Sequence, residues 1–339
     1  MAAAAAGIAW LALTANDGPK DTVETTLTMP MPAGNAPAPA SNAEPKAPKT
    51  AALGPPQTSI TIPLAPQRRG PGPLAPAPDP ELVEKTDIGI LPIIGSDGRR
   101  PWKVYARPFD ATGKRPRVAM VIRGLGLSAT ITETAIHRLP GTVTLAFTPY
   151  GADLNRWVAT ARDRGHEVLL AIPMEPSNYP TDDPGPHTLL TSATSDQNLD
   201  RLHWAMSRFT GYAGVMDFMG SHFTSSRSHL SPILKELKKR GLMFVDSRAS
   251  LRSIAAPLAT EIGLPRAVNN RFIDTNPARA AIDKRLYELE RIAITGGHAL
   301  GIGDPYPATI ERVVAWIEGL EKKGVVVVPA SAIADKQPD

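Results

Sequence analysis

The chain has 339 residues, with 37 Lys and Arg against 33 Asp and Glu, and no cysteine. The missing thiols exclude disulfides, thiolate nucleophiles and thiolate metal sites. A net charge of +4, with its cations scattered, excludes the basic stripe that nucleic-acid binding requires.

Residues 2–14 (AAAAAGIAWLALT) are continuously apolar, and Asn16-Asp17-Gly18-Pro19-Lys20 then turn abruptly polar. Such a run is too short to span a bilayer as a helix. It matches the apolar region of a secretion signal without the basic front. We therefore read residues 1–14 as a truncated signal or anchor. Residues 15–83 read as a disordered Pro/Ala-rich linker, because 15 of the 35 prolines lie between Met29 and Pro80. The stretch has little apolar pattern to offset the entropy of ordering it. Proline-rich tethers are extended and semi-rigid, which suits a domain held off a membrane.

Residues 84–116 form an entry segment in which Pro92, Gly95, Gly98 and Pro101 break short apolar runs; a small hairpin or loop is expected. A regular alternation begins at Arg117. Apolar strands are predicted at 118–122, 143–147, 168–172, 213–218, 242–246, 266–268, 298–303 and 325–328. Helices are predicted between them at 128–139, 152–164, 196–209, 231–240, 253–262, 276–295 and 309–323. Gly165, Gly241 and Gly324 stand where helices should stop. The basic run Lys238-Lys239-Arg240 suits the negative end of a helix dipole. Wholly apolar short strands alternating with helices imply an α/β fold with a parallel sheet. The sheet is either open and doubly wound or closed, and the strand count favours a deformed (β/α) barrel over residues 117–334.

Barrel chemistry sits at the C-terminal ends of the strands. Read in order, those ends carry Arg123, Glu175, Asp217 with His222, Asp246 with Arg248, Asn269-Asn270-Arg271, and Asp304. Such a rim can bind a metal or hydrogen-bond a sugar; acids and arginines there also cap helices and pair with one another. Asp246, which ends a buried strand, is the candidate catalytic carboxylate. Glu175, Asp217, His222, Arg248, Asp304 and Arg123 are the candidate substrate-binding residues. His166 follows a helix-ending glycine and is expected to hydrogen-bond backbone. No nucleophile elbow, phosphate loop or dinucleotide fingerprint occurs in the sequence.

A further set of motifs runs through the same region in order. It comprises Val143-Thr144-Leu145-Ala146-Phe147-Thr148-Pro149-Tyr150, Gly165-His166-Glu167-Val168, Ile172-Pro173-Met174-Glu175-Pro176, Met219-Gly220-Ser221, Phe244-Val245-Asp246-Ser247-Arg248, Gly301-Ile302-Gly303 and Val328-Pro329-Ala330-Ser331. On these, residues 117–334 resemble the divergent polysaccharide deacetylases of bacterial envelopes. The resemblance implies a deformed (β/α) barrel related to enzymes that use a divalent, zinc-like metal to remove acetyl groups from amino sugars. It also implies an envelope glycan or envelope protein as partner. Location would be on the periplasmic side, with membrane contact only through the N-terminal segment.

The resemblance fails where the metal should sit. The Asp-Asp pair expected after the first strand reads Arg123-Gly124, and the His expected before Met219 is Phe218. Asp304 stands for the His expected after Gly303, and the third strand reads Leu170-Ala171-Ile172 where a His is common. No metal-ligand set is therefore assigned. The expected function is that of a deacetylase-like protein of envelope glycan metabolism whose usual Asp-Asp/His metal site is not kept. The alternative is an inactive, glycan-binding or protein-docking pseudoenzyme. Arg123 is expected to supply a fixed positive charge and to pair with Asp246 or Asp304.

Overall fold

The computed structural model describes residues 72–337. The N-terminal apolar segment (1–14) and most of the proline-rich linker lie outside the described residues. The described part begins with chain that is already packed. Leu74 is buried and its amide donates to the Arg162 carbonyl at 3.0 Å. Arg162, itself buried, donates to the carbonyls of Ala75, Tyr105 and Gly211. A guanidinium has enough donors to gather three chain segments at one point. The expected linker end at residue 83 is therefore corrected: the packed chain starts about ten residues earlier. A 3-10 turn follows at Pro80–Leu82, and then the expected hairpin, β1 (Val83–Thr86) paired antiparallel with β2 (Gly89–Pro92). A short helix, α1 (Pro101–Val104), completes the entry segment.

The alternating region folds as predicted in kind and nearly in place. Its first part is β3 (Arg117–Leu125), α2 (Ala129–Arg138), β4 (Thr144–Phe147), α3 (Leu154–Asp163), β5 (Val168–Met174) and α4 (Ser195–Met206). Next come β6 (Gly214–Met219), α5 (Arg227–Lys239), β7 (Met243–Asp246), α6 (Ala255–Ile262), β8 (Arg266–Val268) and β9 (Arg271–Phe272). The last are α7 (Arg279–Gly296), β10 (His298–Gly303), α8 (Pro307–Leu320) and β11 (Val326–Val328). Two elements depart from expectation. The strand β9, only two residues long, is too short to leave a hydrophobic pattern. Helix α5 starts four residues before the predicted 231, and Pro232 lies inside it. Proline is tolerated there because it removes only one amide near the start of a helix that packs Leu230, Ile233, Leu234 and Leu237 into the core.

All strands of the main sheet are parallel, in the order β8-β7-β6-β5-β4-β3-β10-β9. The sheet is curled into a half-barrel, and its edge strands β8 and β9 are joined by only Asn269 and Asn270. Strand β3 is the hub. It pairs with β10 along Arg117–Ile122, with β4 near its end, and with β11 at Arg117–Ala119.

Alternating side chains divide the core in two. Met120, Ile122, Leu145, Val215 and Phe244 face the helices, while Ala119, Val121, Ala171, Met216 and Val245 face the concave interior. The interior is filled by the chain's own C-terminal 3-10 turn, Ala330–Ile333, with Val328, Ala330 and Ile333 fully buried. Small inward residues such as Ala119, Ala146 and Ala171 leave the volume this turn occupies. Gln337 then bonds both backbone groups of Val268, tying the turn to β8. The basic run at the end of α5 behaves as expected, except that Arg240 also pairs with Glu236 at 2.6 Å and Glu84 at 2.9 Å, fastening the hairpin to the barrel.

Candidate functional site

At the C-terminal mouth of the sheet, strand parity decides which side chains meet. Arg123 continues the inward series Ala119, Val121 of β3. The register of β3 against β4 shifts between Ile122 and Leu125. Gly124 at φ +77° turns the backbone there, in a conformation open to glycine at little cost. The Arg123 side chain is 17% exposed; its Nε donates to Asp304 Oδ1 at 3.0 Å and its Nη2 to Oδ2 at 3.4 Å. Two inward-facing rings flank the guanidinium, Phe218 at 5.4 Å and Phe272 at 5.0 Å from centroid to Cζ. Both lie within cation–π range.

Asp304 is itself held from behind. Its amide donates to Asp274 Oδ2 at 2.7 Å, and the same oxygen accepts from Thr309 Oγ1 at 2.8 Å. Burial raises the Asp274 carboxyl above its ordinary range, and those two hydrogen bonds oppose the rise. Asp274 follows the unpredicted strand β9 and was missed for that reason; its signal is an acid closing the run Arg271-Phe272-Ile273.

Asp217 and Asp246 take the opposite parity, in phase with helix-facing Val215 and Phe244, and both are 1% exposed. Asp217 Oδ1 accepts the Ser247 amide at 2.7 Å and its Oδ2 accepts the Ser247 hydroxyl. Asp246 Oδ1 accepts the Arg248 amide at 2.8 Å and its Oδ2 accepts Ser253 Oγ at 2.9 Å. Burial, then the neighbouring Asp246 charge, pushes the Asp217 carboxyl up to about 7. Burial raises Asp246 as well. The two acids pin the β7–α6 loop, where Arg248 adopts φ +50° and points an exposed side chain to solvent. Asp246, the candidate catalytic carboxylate, thus has both oxygens engaged in a sealed wall. Arg123 pairs with Asp304 and makes no hydrogen bond to Asp246.

Glu175 and His222 form a third group. Glu175 Oε2 accepts the Thr191 amide and its carbonyl accepts the amides of His222 and Phe223, both at 3.1 Å. Glu175 therefore clamps the long β5–α4 loop, while His222 is exposed. Among the described residues no hydrogen bond joins either to Arg123 or Asp304. His166 is fully buried, with ring nitrogens 2.9 Å from the Val143 carbonyl and 3.1 Å from that of Ile136, as its sequence position suggested.

A hydrolytic metal needs about three protein ligands and an open position for water. The described residues include no group of three or more His, Asp or Glu placed to hold one. The mouth instead presents Arg123 and Phe218. A fixed positive charge about 4 Å from a cation costs about 4 kcal/mol per unit charge at an effective dielectric near 20. Among the described residues, the donors at the mouth do not make up such a ligand set.

Known proteins extend the description. The family model for divergent polysaccharide deacetylases matches residues 120–334. The crystal structure of an uncharacterized protein from Agrobacterium tumefaciens is 40% identical, with a TM-score of 0.71, and the match covers 72% of this chain and 99% of that one. An uncharacterized protein of Haemophilus influenzae is 26% identical over 205 residues, 60% of this chain and 72% of its own. The uncharacterized protein YibQ of Escherichia coli is 25% identical over 208 residues, 61% of this chain and 64% of its own. With the family model running from within β3 to the C-terminal turn, more than half of the chain, this chain belongs to the divergent polysaccharide deacetylase family.

Proposed function

We propose that this protein acts in cell-envelope glycan metabolism by binding glycan at the mouth of its half-barrel, without metal-dependent deacetylation there. The observation that carries the reading is the Arg123–Asp304 pair, with the Phe218 and Phe272 rings both within cation–π range of the guanidinium. By the resemblance, Arg123 and Asp304 stand at two positions where the family is expected to carry metal-site residues, and the pair offers hydrogen-bond donors beside aromatic surface, a combination suited to sugars.

Calorimetric titration with N-acetylglucosamine oligomers, with zinc and with EDTA, tests the reading together with an acetate-release assay. The expected outcome is binding indifferent to metal and no acetate released. Stoichiometric zinc in the purified protein with zinc-dependent acetate release would overturn it. A second reading, docking of an envelope protein, is supported by Leu127 and Leu251, exposed 67% and 99% on loops at the same end.

The proposal includes location on the periplasmic side of the envelope, with residues 2–14 as the tie to the membrane. Among the described residues no helix is long and apolar enough to cross a membrane. Fractionation of cells expressing the full chain checks this: recovery with the cytoplasmic fraction would sink it.

A further inference from the structure

A guanidinium presents two edges that can receive a carboxylate in parallel: Nε with Nη2, and Nη1 with Nη2. In Arg123 the first edge is taken by Asp304. Nη1 makes no hydrogen bond among the described residues and is not among the buried atoms that lack a partner, so it retains contact with solvent. The second edge is therefore without a protein partner among the described residues, at the mouth of the sheet. Its orientation is fixed, because Asp304 is anchored through its amide to Asp274 and the Phe218 and Phe272 rings bracket the guanidinium. An arginine held this way has already lost the rotamer freedom that binding would otherwise cost it.

We infer that the half-barrel mouth binds its glycan through a carboxylate carried by the sugar, received on the Nη1–Nη2 edge of Arg123. The inference deepens the glycan-binding reading and rests on it. Charge favours a monoanion. Asp304 already offsets one unit at Arg123, and Asp274 stands directly behind, so a doubly charged phosphate meets more opposition than a carboxylate does. Partial burial of the guanidinium strengthens the contact relative to a surface arginine, where competing water and salt weaken it. The aromatic rings supply the apolar wall for the rest of the sugar.

The test uses three probes on the full chain: a trisaccharide of hexuronic acid, its methyl ester, and the N-acetylglucosamine trisaccharide. The acid is expected to bind wild-type protein about tenfold more tightly than the ester, a difference that shrinks as salt is raised. Arg123→Gln should abolish the acid–ester difference by bringing the acid down to the level of the ester. Arg123→Lys should keep part of it, since the charge remains and the fork is lost. Equal binding of acid and ester by wild-type protein, with the N-acetylglucosamine trisaccharide still bound, would overturn the carboxylate inference and leave the glycan reading standing. Failure of all three sugars to bind would overturn both. The wild-type comparison needs no variant, so a folding defect in either substitution does not obscure the answer.

Discussion

Two pairs of charged residues stand at the same end of the sheet and meet opposite fates. Arg123 and Asp304 point into the concave mouth and stay partly exposed, with side chains 17% and 28% accessible. Asp217 and Asp246 sit on neighbouring strands but face the helices, and both are 1% exposed. One residue of parity on a strand separates a surface that can meet a ligand from a wall that holds a loop. A carboxylate at a strand end is thus a candidate for chemistry only when its phase carries it inward. The sealed acids are satisfied by Ser247, Ser253 and the Arg248 amide. The mouth pair keeps an unused donor edge.

The strongest way to break this contrast is to turn the mouth acidic. Replacing Arg123 and Gly124 together by Asp removes the ion pair, adds like charges near Asp304, and forces a side chain onto a backbone at φ +77°. Stability in EDTA should fall by about 3 kcal/mol. Zinc should recover part of the loss, since the variant gathers several carboxylates where one cation was fixed. Melting temperatures in EDTA and in zinc read both effects, and no change in either would show that Arg123 is an ordinary solvated side chain.

A change in the sealed wall should cost somewhat less. Asp217→Ala leaves the buried Ser247 amide and hydroxyl without their acceptor, at a cost of about 2 kcal/mol in denaturant unfolding. A loss below 0.5 kcal/mol would mean the loop repacks freely.

The same acid makes stability depend on pH, in a predictable direction. Its carboxyl lies near 7 when folded and 3.8 when unfolded, so between about pH 4 and pH 7 the folded chain retains a proton that the unfolded chain has released. Stability should therefore decline as pH rises through that window and level off above it. Asp217→Asn should flatten the decline; an identical slope in the variant would remove Asp217 as its source.

The smallest effect sharpens the contrast from the exposed side. Leu251 is 99% exposed on the loop the sealed acids hold, so Leu251→Ser should alter stability by less than about 0.5 kcal/mol. A larger fall in the melting temperature of the isolated chain would mean that the loop tip packs in solution.

Much of this architecture is legible in the sequence, because buried parallel strands announce themselves as apolar runs closed by glycine-terminated helices. The strands from β3 to β8, with β10 and β11, follow from that pattern. What escapes is what burial alone does not encode. Strand β9 has two residues and exists through its partner β10, so Asp274 behind it escaped with it. The pairing of Arg123 with Asp304 joins residues 181 apart, and only the alignment of strand ends suggested it. Sequence position made Asp246 the leading acid of the rim. The structure places it in the wall, because a strand-end argument identifies the right end of the barrel without giving the phase of each side chain.

The hub position of β3 has a consequence for how the molecule comes into being. The first strand of the half-barrel draws its partners β10 and β11 from the far end of the chain, and the turn that fills the interior follows them. During synthesis β3 waits with one edge unsatisfied until the last strands emerge, which makes assembly slow and dominated by distant pairings. An exposed edge in a strand as apolar as Val118–Ile122 is the kind that joins the wrong partner. The segment from Val328 to Gln337 is therefore the one that closes the interior and ends that hazard.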